Sequence, residues 1–147
     1  MHPLKAVRKA IVALLSDSVI VVDGATVGVL DSPPEQGQVP EESLPALYCF
    51  ARSEHVSIGT HTSDERGVLV DIVIQAKGFR VNVVDQVDDI HLELERRIAA
   101  SGRLSGLVAS IAPQGSEIHI DRGEVIFAAR RVTFEVKMFT SRMDPSV

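Results

Sequence analysis

Residues 107–141 constrain the fold most strongly, because they contain two long runs, LVASIAPQGSEIHID and EVIFAARRVTFEVKMFTS, in which apolar and polar side chains alternate. A side-chain period of two belongs to a strand with one face buried and the other open. In the second run Val132, Phe134, Val136 and Met138 point one way, while Thr133, Glu135 and Lys137 point the other. In the first run Ile118 and Ile120 oppose Glu117, His119 and Asp121, and Arg122-Gly123 supplies the turn. A hairpin with one apolar face needs a covering layer. The segment NVVDQVDDIHLELERRIAASG, just upstream, provides one: Val87, Ile90, Leu94 and Ile98 recur at helical spacing. This helix is expected to begin near Asp85, capping the N–H of Asp88, and to end at Ser101-Gly102. The carboxylates of Asp85, Asp88 and Asp89 suit the positive end of a helix, so they need no catalytic explanation.

The first half reads as a helix and four strands. Pro3 fits a first helical turn, and Leu4, Val7, Ile11 and Leu14 form a stripe that ends near residues 16–18. Residues 19–22 and 26–30 form a hairpin around Asp23-Gly24. DSPPEQGQVPEES, residues 31–43, is expected to be an exposed loop, and residues 44–52 a buried strand. SEHVSIGTHTSDERG, residues 53–67, is expected to be a second polar loop. Val68, Val70, Ile72, Ile74 and Ala76 then alternate with Asp71, Gln75 and Lys77 in a half-exposed strand. The order predicts one α+β domain over residues 1–147, an antiparallel β-sheet flanked by two main α-helices, because no βαβ alternation occurs.

Composition removes several function classes. The chain has 15 Lys and Arg against 20 Asp and Glu, a formal net charge of −5, so composition gives no basic face for nucleic acid. Arg96, Arg97 and Arg103, or Arg130 and Arg131, are read as solvated charges. No run approaches the ~20 apolar residues of a membrane span, so no membrane partner is expected. IVALL, residues 11–15, is too short for a signal-peptide core. The single cysteine, Cys49, lies in the apolar run ALYCFA and reads as a core residue of a protein made in a reducing compartment. Phosphate-binding and nucleophile-elbow motifs are absent. His55, His61, Asp64 and Glu65 are the one sequence cluster of metal-type ligands, but their spacing matches no helix or turn that builds a metal site. His91 reads as a packing residue beside the helical stripe. No catalytic residue, metal or cofactor is expected.

Taken together, the "xDDI…E…" helix, the "…I…GSEI…ID" strand and the closing "ARRVTFEVxxFT" strand resemble the tail terminator family of long-tailed bacteriophages. The similarity starts at the N-terminal helix LKAVRKAIVALL and runs through the Pro-rich loop and LPALYCFA. It implies a structural virion protein and no enzyme. Such a protein forms a homohexameric ring on the head-proximal end of the tail tube, stops tube growth and presents a surface to the head connector. The implied partners are other copies of the chain, the tube protein and the connector or adaptor, with assembly in the bacterial host cytoplasm and DNA passing through without specific binding. The acidic balance suits such a channel, since gripping phosphates requires clustered Lys and Arg. Two readings compete with this one: a head-completion or adaptor protein, and a small α+β metal- or ligand-binding enzyme using His55 and His61. On the ring reading, loops 31–43 and 53–67 contact neighbours or the tube. Glu35, Glu41, Glu54, Asp64, Glu65 and Arg66 are the expected interface residues, with Glu54, Asp64 and Arg66 in ion pairs between subunits. Charge reversal at Arg66 is then expected to weaken assembly and leave the melting temperature nearly unchanged.

Overall fold

The computed structural model describes residues 1–78 and 82–146. Its elements are α1 (Pro3–Ser16), β1 (Ile20–Val22), β2 (Ala25–Val29), β3 (Ala46–Ile58), β4 (Ser63–Gly78), α2 (Asn82–Ala100), β5 (Ser110–Arg122) and β6 (Ile126–Ser141). Short helical turns lie at Glu41–Ser43 and Gly102–Gly106. The strands form one sheet in the order β1-β2-β3-β4-β6-β5. It is antiparallel except where β2 meets β3, which run parallel through Gly28↔Ala46 and Val29↔Leu47. The architecture is α+β, as the sequence pattern predicts.

Local chemistry explains most element ends. His2 Nδ1 accepts the Leu4 N–H at 3.1 Å ahead of Pro3, which starts α1. Asp23 and Gly24 both take positive φ, 52° and 77°, the conformation a tight hairpin turn requires, and they set the Val22↔Ala25 register. The described part of α2 begins at Asn82, so Asp85 lies within its first turn and helps the helix by charge instead of capping it. After Ala100 the chain enters a left-handed turn from Gly102 (φ 62°) to Gly106 (φ 83°). The L-residues inside it cost about 1–2 kcal/mol each. The Leu104 N–H donates to Ser101 Oγ at 3.0 Å, and burial of the Leu104 side chain holds the turn in place.

Both helices pack on one face of the sheet. Val7, Ile11 and Leu15 of α1 and Val83, Val87, Ile90, Leu94 and Ile98 of α2 join Val70, Ile72, Val132 and Phe134 in the main core. Arg97 ties the helices together: its Nη1 donates to the carbonyls of Leu15 (3.2 Å) and Ser18 (2.6 Å), and its Nε pairs with Glu93 at 3.0 Å. It therefore satisfies carbonyls at the end of α1 that the helix itself leaves free. Among the described residues no helix is long and apolar enough to cross a membrane.

Residues 53–67 do not form a loop. β3 continues to Ile58 and β4 starts at Ser63, with pairs from Ser53↔Leu69 to Ile58↔Asp64. The reason is that this part of β3 lies along the open outer side of the sheet. Every residue of β3 from Ser53 to Ile58 is exposed, so no apolar alternation marks the strand, and the backbone hydrogen bonds alone specify it.

Candidate functional site

The extension of β3 and β4, paired along its length with the end of β6, forms an arm whose tip is braced. Arg142, in the segment after β6, donates from Nη1 to the His61 carbonyl (3.1 Å) and from Nη2 to the Thr60 carbonyl (2.8 Å). Its Nε pairs with Asp64 Oδ1 at 3.0 Å, and its backbone N–H donates to the Thr62 carbonyl at 2.9 Å. One guanidinium thus gathers the carbonyls of the turn, which makes the tip a preorganised projection. Lower on the arm, Arg66 Nη1 donates to Glu54 Oε2 at 2.8 Å and Nε donates to Thr140 Oγ1 at 2.9 Å. Arg66 is only 8% exposed. Glu54, Asp64 and Arg66, expected to pair between subunits, therefore find their partners within the chain. The arm leaves Val56, Ile58 and Phe139 exposed, at 43%, 80% and 58%.

Residues 31–43 form a strap fastened to the helix-free face of the sheet. Gln75 Oε1 accepts the Val39 N–H at 2.9 Å, and Gln75 Nε2 donates to the Gly37 carbonyl at 2.9 Å. Val39 is buried with Ala46, Tyr48 and Val73 in a second, smaller core on that face. Glu41 pairs with Lys77 Nζ at 3.2 Å. Glu35 is exposed and Glu65 half-buried beside Ser57 and His55, and neither forms an ion pair among the described residues. Of the six expected interface residues, these two keep free carboxylates.

Beside the strap, a charge network crosses the same face. Asp71 on β4 is fully buried, although the alternation had marked it as outward-facing. Thr133 Oγ1 donates to its Oδ1 at 2.8 Å. Arg52 Nε lies 2.9 Å from its Oδ2 and Arg131 Nε 3.9 Å away. Neither N–H is aimed at Oδ2, so that oxygen is held by charge alone and receives no hydrogen bond. Arg131 Nη2 also pairs with Glu117 on β5 at 2.7 Å. Two half-exposed arginines thus roof the carboxylate, and the chain of charges spans β3, β4, β6 and β5. Sequence reading missed Arg52, Arg142 and Gln75, because each acts through residues far away in the chain.

The metal-type cluster does not assemble. His55 sits on β3 and His61 in the arm's turn, and no group of three or more His, Cys, Asp or Glu side chains among the described residues could hold a metal ion. His91 is half-buried, with Nε2 2.9 Å from Glu95 Oε1 and Nδ1 3.3 Å from Arg130 Nη1. Arg130 also pairs with Asp88, so it is no free basic residue. Cys49 is 1% exposed, as its apolar run predicts.

Burial pushes the Cys49 thiol up to about 11 from its usual 9.0, against a smaller opposite pull from Arg8. The folded chain therefore holds this proton more tightly than the unfolded chain. The corresponding stability is complete below pH 9 and declines as pH rises toward 11. At pH 8 the thiolate is scarcer by roughly a hundredfold than in the unfolded chain, so iodoacetamide is expected to label Cys49 only after denaturant is added. Labelling of the native protein at the unfolded rate would show that the β3–α1 packing opens freely.

Neither a protein-family model nor a curated protein sequence matches this chain.

Proposed function

We propose that the chain is a structural virion protein that forms a ring on the head-proximal end of a long phage tail, ends tube growth and offers the surface to which the head connector joins. The observation that carries this reading is the braced arm. This extension of β3 and β4, backed along its length by the end of β6 and braced at its tip by Arg142, keeps Val56, Ile58 and Phe139 exposed. A preorganised projection of this kind lowers the ordering cost of contact with another protein. The resemblance of the α2, β5 and β6 segments to tail terminators points to the tube and connector as partners, and the net charge of −5 suits a passage for DNA that must not adhere. Arm, strap and sheet edges, and not ion pairs of Arg66, are the surfaces offered for assembly.

Electron microscopy of particles produced without this gene tests the reading. The expected result is overlong free tails beside DNA-filled, tailless heads. Leaking heads with tails of normal length would move the role to head completion, and normal particles would end the virion reading.

A further inference from the structure

The sheet has two long edges whose hydrogen-bonding groups have no partner strand. β5 pairs only with β6, which leaves its outer edge open over Ser110–Arg122. β2 covers β3 only at Ala46 and Leu47, so the outer edge of β3 is open from residue 49 to Ile58. No other backbone hydrogen bond among the described residues reaches these stretches. Unpaired edges of this length invite another strand.

We propose that β5 of one copy pairs with β3 of the next, continuing the sheet from subunit to subunit. This deepens the ring reading, on which it rests, and its test separates the two. Strand direction fits first. The ladder alternates through β3, β4, β6 and β5, so β5 runs opposite to β3. Copies related by rotation about an axis along the strands therefore bring β5 and β3 together antiparallel, the better-bonded arrangement. The two edges belong to different surfaces, so the contact is heterologous and generates a ring when the rotation closes.

Side chains fit second. Val56 and Ile58 on β3 and Ile118 on β5 are exposed on the helix-bearing face, and a pairing that sets Ser53 opposite His119 brings Ile118 diagonal to Val56. On the opposite face β3 presents Arg52 at its bulge, while β5 presents Glu117 and Asp121. Pairing β5 with a second β5 would set carboxylates against carboxylates, and like charges across a strand pair are unfavourable. With Ser53 opposite His119, antiparallel β3–β5 pairing sets Asp121 beside Arg52 instead.

Through the β4 and β6 registers, Ser53 and Ala112 both lie level with Leu69. The test introduces Ser53→Cys together with either Ala112→Cys or His119→Cys, for two candidate registers, and oxidises the protein at high concentration while light scattering reports its mass. The native Cys49 is buried and stays silent. The expected result is a ladder of covalent oligomers from a double variant and none from any single variant. A covalent dimer from Ala112→Cys or His119→Cys alone would show β5–β5 pairing and overturn the proposal. A ring by mass with no ladder in either register would overturn it and leave the ring reading standing. A monomer at every concentration would sink both. As a second check, where Ser53→Cys cross-links to His119→Cys, Ile118→Asp is expected to weaken assembly roughly tenfold or more with an unchanged circular dichroism spectrum. Undiminished assembly by that variant would count against the edge contact.

Discussion

Arg66→Glu is expected to lower the melting temperature by roughly 6–12 °C. The guanidinium lies almost wholly inside the arm's root, between Glu54 and Thr140, and the substitution puts a second carboxylate beside Glu54. Breaking a buried pair by removing one partner costs about 3–5 kcal/mol. Glu54 keeps 25% of its side chain in contact with water, so screening places this case at the low end, about 3 kcal/mol. In a domain of about 150 residues each kcal/mol moves the midpoint by about 2–4 °C. Arg66→Met, which also leaves Glu54 without its partner but keeps the apolar stem and adds no second carboxylate, is expected to lose less than the reversal. Thermal melts of both variants settle the matter. An unchanged midpoint for the reversal would return Arg66 to the role of an assembly residue, as the sequence alone suggested.

Gln75→Leu is expected to cost about 2–3 kcal/mol and to free the strap. The side chain alone connects β4 to the Val39 N–H and the Gly37 carbonyl, both at 2.9 Å. Leucine keeps the volume but leaves the buried Val39 N–H without an acceptor, and an orphaned buried donor costs about 1–3 kcal/mol. Hydrogen exchange should then accelerate at residues 37–39, while α1 and α2 keep their protection. Unchanged protection at Val39 would mean that packing against Tyr48 and Val73 holds the strap without Gln75.

How legible these features were in the sequence depended on burial. Elements with one covered face announced themselves: the α2 stripe Val87, Ile90, Leu94 and Ile98 and the β6 alternation Val132 to Met138 are buried as their spacing requires. The Asp23-Gly24 hairpin was equally readable, because its chemistry is local. The arm was not, since Ser53–Ile58 is open to solvent and its strand is written only in backbone pairing. Asp71 misled for the opposite reason: a polar residue in an outward register reads as solvated until Arg52 and Arg131 are seen folded over it. The candidate interface residues suffered likewise. Glu54, Asp64 and Arg66 are close in sequence, and charge proximity by itself cannot reveal that Thr140 and Arg142, far along the chain, complete their pairing.

The central claim concerns position, and labelling tests it most directly. The chain, tagged for gold at its exposed C-terminal segment, would be supplied to particles lacking the native copy and imaged by electron microscopy. The account predicts restored tail length with label confined to the head–tail junction. Label distributed along the tail or over the capsid, or tails that stay overlong despite bound label, would contradict it.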